Sequence, residues 1–263
     1  ELGLPDNDSY TSYADLDRPF VVWNVFAAPE FSVEPKRECF PFSGCVPYRG
    51  FFSESAARSE AKKLKREGLD VYLGGVLAYS TLGWFNDPLL STFIRYPDAQ
   101  VARLVFHELA HQVAYAKGDT TFNESFAVVV EEEGVRRWLQ SQGRTKELAT
   151  FQAAQARKRA FAVRVKDTRE RLAAIYASGA SPQALRAQKR AEFDRLRADF
   201  PSVVPVEPNN AFLASVALYT EMVPGFERLL AESGGDLATF YGRVRQLAAS
   251  DRSVRDTLLA QRP

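Results

Sequence analysis

The sequence predicts a mixed α+β fold in which a strand-rich part precedes a longer helical part. Two segments rich in Val and aromatic residues, 19–28 and 70–80, have the composition of buried strands and flank one helical segment. Beyond residue 97, apolar residues recur at helical spacing almost to the C-terminus. With 263 residues, 46% of them hydrophobic and 25% charged, the chain is long enough to bury a sizeable core.

Cap and turn residues divide the strand-rich part. Ser53 is a good N-cap for a helix that should end at Gly68. Inside the second strand segment, Gly74 and Gly75 indicate either a bulge or a turn between two short strands.

The two cysteines, Cys39 and Cys45, lie in the turn-rich stretch that follows the first strand. Their spacing suits a short disulfide loop, with reduced thiols as the alternative. A disulfide would place the protein in an exported, oxidising compartment. Since the chain starts at Glu1 and its one Met is Met222, we also expect a trimmed or processed product, in which a targeting segment upstream of Glu1 would not be visible.

The charge balance excludes two classes of partner. With 34 Lys+Arg against 33 Asp+Glu, the net charge of +1 gives no field that would favour nucleic acid or an anionic membrane surface. No run approaches the 18 apolar residues that a membrane span needs. We therefore expect no nucleic-acid partner.

The helical part begins with two helices. The first should have Asp98 as N-cap and end at Gly118, and the second should run from about Thr121 to Gly143.

The next segment is rich in Arg, Lys, Gln and Ala and carries only a thin apolar seam. Ser181 as N-cap and Pro182 at the first helical position predict an antiparallel helical hairpin, followed by further helices. The sequence thus divides into three parts, 1–143, 144–200 and 201–263.

The first of these helices carries a candidate metal site. His107 and His111 are the only histidines in the chain, and at i and i+4 they lie on one helix face, so both imidazoles can reach one metal ion. Glu108 beside them could take a proton from water and hand it to a leaving amine, as amide hydrolysis requires. The alternative is a chance HExxH pattern, but two histidines placed at random would have this spacing in only about one case in a hundred.

Catalytic zinc usually takes three protein ligands, so a carboxylate must complete the set. Asp119, Glu124 and the run Glu131–Glu133 all follow His111, and position alone does not choose among them. The run could equally be a solvated helix face.

The motif resembles that of the gluzincin peptidases of the aminopeptidase N type, in which HELAHQ precedes NEGFA and a later Glu. The matching residues are 107–112, 123–127 and Glu131. The resemblance implies Glu124 as third zinc ligand and Glu131 as a carboxylate that orients a ligand histidine. The two motifs are closer together here than in that family, which indicates a relative in mechanism rather than a member.

A wider resemblance is to the bacterial family of predicted aminopeptidases. The segments that carry it are 19–25, 39–45, 78–85, 107–112, 123–127 and 209–211, with Tyr219. It implies a zincin-like catalytic unit over 1–143, a Zn²⁺ cofactor and a peptide substrate. Family members are commonly exported and often lipoproteins, so we expect a periplasmic or cell-envelope protein, attached to a membrane only through a lipid anchor upstream of Glu1.

In zincins the substrate peptide commonly lies along a sheet edge beside the metal helix. The segment Tyr79–Trp84 is our candidate for that edge or its rim, with Tyr79 as a substrate contact. The alternative is that these are core aromatic and aliphatic residues, namely Tyr79, Leu82, Trp84 and Phe85.

Gluzincins also use a downstream Tyr or His to stabilise the oxyanion. With no histidine left, Tyr219 is the best available donor, although it could simply be a packed side chain. Asn209 and Asn210 compete for this role, and we assign Asn210 to substrate binding.

The leading hypothesis is therefore a zinc aminopeptidase, with a narrow-cleft zinc endopeptidase as the alternative enzyme. A third hypothesis is a non-catalytic zinc-bearing envelope protein that holds a partner protein through the hairpin. Glu108 argues against the third, because a structural zinc site needs no acid there. The hairpin could be an exopeptidase wall, a gate, a partner-binding arm or a solvated projection.

Overall fold

The computed structural model describes residues 2–40 and 44–260, and it confirms a mixed α and β fold, mostly helical with small sheets. Within these residues, no helix is both long and apolar enough to cross a membrane. The elements follow one another as β1 (Tyr13–Ala14), β2 (Val22–Pro29), β3 (Glu38–Phe40), β4 (Gly44–Val46), β5 (Tyr48–Phe51), α1 (Glu54–Arg66), β6 (Leu69–Val76), β7 (Leu89–Leu90), α2 (Asp98–Val113), α3 (Thr120–Ser141), α4 (Thr145–Tyr176), α5 (Pro182–Asp199), α6 (Asn210–Thr220), α7 (Val223–Glu232), α8 (Leu237–Ala249) and α9 (Arg252–Ala260).

The chain forms two compact units. One comprises Glu1–Val21, Gly75–Gln155 and Tyr219–Pro263, and the other comprises Val22–Gly74 and Ala156–Leu218. The division of the sequence at residues 143 and 200 into functional parts stays a prediction.

The second unit holds a small sheet with strand order β5-β2-β6. β2 and β5 are antiparallel, with Trp23 opposite Phe51. Seven of the eight residues of β2 are buried, which confirms the first predicted strand. Helix α1 is capped as expected, because the Ser53 side chain accepts a hydrogen bond from the Ala56 N–H.

The glycine pair in β6, Gly74 and Gly75, does not form a turn. β6 runs through both glycines, so the alternative of two short strands is wrong. A Cβ atom at Gly75 would lie 2.4 Å from the ring of Phe20. Glycine is therefore needed here because an aromatic ring packs directly on the backbone.

The predicted disulfide is present. Cys39 and Cys45 lie opposite each other in the β3–β4 pair, and their sulfur atoms are 2.06 Å apart.

Helices α4 and α5 confirm two of the predicted helical segments. Ser181 caps α5 by accepting from the Ala184 N–H, with Pro182 in the first turn. Arg164 pairs with Asp199, and one helical stretch further on Arg171 pairs with Glu192, both at 2.8 Å. Since the residue numbers of the paired side chains rise along α4 as they fall along α5, this part of the two helices is antiparallel.

In the first unit, α2 and α3 pack closely. A Cβ atom at Gly134 of α3 would lie 2.8 Å from the ring of Phe106 on α2, so the glycine allows the two helices to approach. An aromatic core also packs against α3, where the Phe122 ring is 5.0 Å from that of Phe226 and the Phe126 ring is 5.8 Å from that of Phe240. All four rings are fully buried. The helix pair that carries the candidate site is thus fixed by close packing.

Two details of α2 differ from the prediction. Pro97, and not Asp98, occupies the N-cap position without a side-chain cap bond, and Asp98 is the first helical residue. The helix also ends earlier, at Val113, because Ala114 has an extended backbone. Gly118 has a φ of +75°, but it lies in the loop between the helices.

Candidate metal centre

The α2–α3 pair brings three possible metal ligands together. His107, His111 and Glu124 each offer one ligand atom, and these atoms all lie within 4.8 Å of one another. His107 Nε2 is 3.1 Å from one Glu124 carboxylate oxygen, and His111 Nε2 is 3.8 Å from the other. Both histidines are only 8% exposed. Two imidazoles and one carboxylate are a common donor set for catalytic zinc, so these residues suit a Zn²⁺ ion.

Two of the competing acids, Asp119 and Glu133, are engaged elsewhere. Asp119 is the N-cap of α3, where it accepts from the Phe122 N–H and pairs with buried Arg255 at 2.8 Å. Glu133 pairs with Arg136 and Arg137 on its own helix. Position in sequence left the third ligand open, and the geometry favours Glu124.

Glu131 lies behind His107. Its Oε2 is 2.9 Å from His107 Nδ1, and Arg103 Nη1 donates to both of its oxygens at 2.8 and 3.0 Å. A His107 that donates from Nδ1 leaves Nε2 free to act as a ligand. Glu131 is therefore placed to hold the imidazole in the tautomer and orientation that a metal ion needs.

The loop between α2 and α3 is held by Asn123, the residue before Glu124. Its side-chain oxygen accepts from the Ala116 N–H at 2.7 Å, and its amide nitrogen donates to the Ala116 carbonyl at 2.9 Å. Asn123 is 2% exposed. This pair of hydrogen bonds takes the place of the helical turn that was expected before Gly118, and it fixes the start of α3 close to the end of α2.

Hydrogen bonds and neighbouring charges shift the pKa values of His107 and Glu131. Burial alone would lower the pKa of His107, but its hydrogen bonds to Glu124 and Glu131 raise that pKa to about 10. Burial alone would raise the pKa of Glu131, but the charge of Arg103 and the bond to His107 lower it to about 2. Because an imidazole must be deprotonated at the atom that binds a metal, binding of a divalent cation at His107 would release a proton.

At His111 and Glu108, in contrast, burial sets the direction of the pKa shift. It lowers the pKa of His111 to about 4 and thereby keeps the imidazole neutral, as a ligand must be. It raises the pKa of Glu108 to about 7, to which the charges of Glu124 and Asp87 contribute while that of His107 opposes. A carboxylate with a pKa near 7 suits a general base at neutral pH.

The loop that starts at Tyr79 is exposed. Tyr79, Trp84 and Phe85 are 52%, 83% and 73% exposed, so the alternative that they are core residues is wrong. The ring of Tyr115 stands edge-to-face 6.4 Å from that of His111, and burial together with the charges of Glu124 and Tyr79 raises its pKa. The role of Tyr79 in substrate binding stays a prediction.

Asn210 and Tyr219 have different environments on α6. Asn210 is fully buried, and its amide is bonded to the Tyr176 hydroxyl and to two backbone carbonyls. These are the contacts of a structural residue, so we do not retain Asn210 as a substrate contact. Tyr219 is partly buried in the last turn of the helix, and its catalytic role stays a prediction.

Three residues near the site were not predicted. Arg103 could have been found, since it precedes His107 by one helical turn on the same face of α2. Asp87, whose charge acts on Glu108, and Tyr10, whose N–H donates to the Asp87 carbonyl, carried no such signal. They reach the site only through the tertiary fold, from far upstream in the sequence.

A comparison with protein-family models matched residues 1–259 to the family described as "Putative aminopeptidase". Searches among curated proteins and among solved structures gave no match. The family match extends over both compact units and includes every residue of the metal centre. The chain therefore belongs to the putative aminopeptidase family, whose name implies a peptidase.

Proposed function

We propose that this protein is a zinc-dependent aminopeptidase of the gluzincin type, with its site in a zincin-like unit. The observation that carries the proposal is the convergence of His107, His111 and Glu124 within 4.8 Å, with buried Glu108 between the two histidines, in a chain of this family. When bound there, zinc would supply a Lewis acid that polarises the scissile carbonyl and makes water more acidic.

The chain's own residues would carry out the proton transfers. Glu108 takes a proton from the attacking water and delivers it to the leaving amine, which its raised pKa allows in both directions near neutral pH. Glu131 keeps His107 oriented throughout. Tyr219 is our proposed donor to the oxygen that becomes negative, and Tyr79 our proposed contact at the rim of the substrate site.

The test is a pair of substitutions that should differ in their effect on zinc content. Glu108→Gln should keep one zinc per chain, measured by elemental analysis, and lose peptide hydrolysis by about 10²-fold or more. Glu124→Ala should lose zinc. Glu133→Gln is the matched control for Glu124→Ala, because Glu133 lies on the same helix as Glu124 but pairs with Arg136 and Arg137.

Activity is best read by mass spectrometry of a mixed peptide library, which also reveals the end from which cleavage starts. Full activity of Glu108→Gln would remove Glu108 from the mechanism. Unchanged zinc content in Glu124→Ala would assign the third ligand to another group.

We further propose that the protein works in the bacterial cell envelope, on peptides. The disulfide between Cys39 and Cys45 supports this, since such bonds persist mainly in oxidising compartments. Fractionation of cells that express the full-length gene product, with thiol labelling of each fraction, tests it. Recovery of the protein in the cytoplasm with both thiols reduced would contradict the proposal.

A further inference from the structure

A second buried acid, Asp87, is bonded into the surroundings of the metal centre. Asp87 is 5% exposed, and its carboxylate accepts a hydrogen bond from the Thr81 N–H at 2.9 Å. Its own N–H donates to the Ser9 hydroxyl at 3.4 Å. Among the residues that the structure describes, no Lys, Arg or His forms an ion pair with Asp87. A buried carboxylate is costly without a cation beside it, so Asp87 has the chemistry of a cation-binding group.

Hydrogen bonds connect Asp87 to the metal helix through an N-terminal segment, Asn7–Tyr10. At one end of this segment, the Tyr10 N–H donates to the Asp87 carbonyl at 2.5 Å. At the other end, the Asn7 side chain donates to Gln112, the residue that follows His111, at 2.8 Å.

Tyr10 shows two further unusual features at the same place. Its φ of +64° lies in the left-handed region, which costs a non-glycine residue free energy and is often found at functional sites. Its hydroxyl is buried and has no hydrogen-bond partner among the described residues. Burial and the charges of Glu108 and Asp87 raise its pKa, so the hydroxyl stays neutral. An unsatisfied buried hydroxyl in a native protein calls for a partner, such as a water molecule, an ion or a ligand.

We propose that Asp87 binds the free α-ammonium group of the peptide substrate, with the Tyr10 hydroxyl oxygen as a second acceptor for its N–H groups. This inference rests on the proposed aminopeptidase function and names the group that would make the enzyme an exopeptidase. An ammonium has three donors and a positive charge, which complement one carboxylate and one neutral hydroxyl.

The position of Asp87 fits this role. In an amino-terminal residue, the α-nitrogen lies two bonds, roughly 2.5 Å, from the carbonyl carbon that is attacked. The residue that binds this nitrogen must therefore lie beside the general base. Asp87 meets that requirement through the Asn7–Tyr10 segment, which bonds to Asp87 at Tyr10 and to Gln112 at Asn7, because Gln112 lies one helical turn after Glu108 on the same face of α2.

The central experiment compares Asp87→Asn with the wild-type enzyme on two peptides of one sequence, the first with a free amino terminus and the second N-acetylated. Asparagine keeps the acceptor for the Thr81 N–H but removes the negative charge. We expect kcat/KM on the free peptide to fall about 30-fold or more, mainly through KM. The small activity on the acetylated peptide, the zinc content and the thermal unfolding temperature should not change.

Two further variants complete the design. Tyr10→Phe should raise KM for the free peptide by about 5-fold, since it removes one neutral hydrogen bond, and should leave the acetylated peptide unaffected. Asp6→Asn removes an exposed carboxylate just before the Asn7–Tyr10 segment and should change nothing. Tyr10→Phe also keeps the inference testable if Asp87→Asn does not fold.

The outcomes separate this inference from the function on which it rests. A wild-type preference for the free peptide that persists in both Asp87→Asn and Tyr10→Phe overturns the inference alone. Loss of zinc from Asp87→Asn also overturns it, because Asp87 would then support the metal centre. A wild-type protein that binds no zinc and cleaves neither peptide contradicts the proposed function, and the inference with it.

Discussion

Two buried polar clusters of this protein differ in how completely their hydrogen bonds are satisfied. The first surrounds Asn210, whose amide oxygen accepts from the Tyr176 hydroxyl and whose amide nitrogen donates to two carbonyls at the end of β2, those of Pro29 and Glu30. The Asn210 N–H donates to Asp70 at 2.9 Å, and Lys189 pairs with the same Asp70 oxygen at 2.6 Å. Every group of this cluster has a partner within the chain.

The second cluster surrounds His107 and Glu108, and in it several partners are missing. The Nδ1 of His111, the Nε2 of Gln112 and the hydroxyl of Tyr10 are all buried without a hydrogen-bond partner among the described residues. Native proteins leave few such groups, because each costs about 1–3 kcal/mol. The comparison teaches that the chain itself satisfies the first cluster, whereas the second leaves polar atoms that a ligand, an ion or water can bind.

The largest predicted effect is the loss of stability when the complete cluster is broken. Lys189→Met should leave the partly buried Asp70 without its cation and lower the free energy of unfolding by about 3–5 kcal/mol. Zinc content per folded molecule should not change. Urea unfolding measures the first and elemental analysis the second. Arg186→Met is the matched control, since Arg186 lies on the same helix and makes an exposed pair with Glu30, and it should change little.

Asn210→Ala tests whether the same cluster has any part in catalysis. The change leaves the Tyr176 hydroxyl and two carbonyls without a partner and should cost about 3 kcal/mol of stability. At a temperature where the variant is folded, kcat and KM should equal those of the wild type. An increased KM with unchanged stability would restore Asn210 as a substrate contact.

These two clusters also show what the sequence could and could not predict. The caps Ser53 and Ser181 were correct because a cap is a local hydrogen bond between near neighbours. The end of α2 was wrong because the Asn123 side chain, from the next helix, takes both hydrogen bonds of Ala116. Helix signals at Gly118 could not reveal that competition.

The residues of the candidate site also divide into those that the sequence could predict and those that it could not. His107, Glu108 and His111 lie within one helical turn, so their spacing alone brought them together. Glu124 required either the family resemblance or the fold, because several acids at similar distances along the chain were equally suitable. Asp87 and Tyr10 have no sequence pattern at all, and only the packing of the chain places them near Glu108.

Metal addition should complete the second cluster. A ligand that binds only the folded state stabilises it by about 2.7 kcal/mol when its free concentration is 100 times its Kd. Zinc should therefore raise the thermal unfolding temperature, and a chelator should reverse the effect. The shift should vanish in Glu124→Ala and persist in Lys189→Met. An unfolding temperature that zinc leaves unchanged in the wild type would argue that the cluster holds no metal.

The smallest predicted effect is expected at Glu131, the carboxylate that contacts the ligand His107. Glu131→Gln keeps the shape of the side chain and an acceptor for His107 Nδ1, but it removes the charge that Arg103 and His107 both contact. Loss of such an outer carboxylate typically weakens metal binding 10–100-fold, which corresponds to about 1.4–2.7 kcal/mol. Competition with a chromogenic chelator measures the zinc Kd directly. Glu133→Gln, two residues further along α3, is the control and should leave that Kd unchanged, because Glu133 contacts Arg136 and Arg137 instead of a ligand. Equal zinc affinity in the two variants would mean that Glu131 serves only to neutralise His107 and the partly buried Arg103. The second cluster would then owe its metal affinity to the three ligands alone.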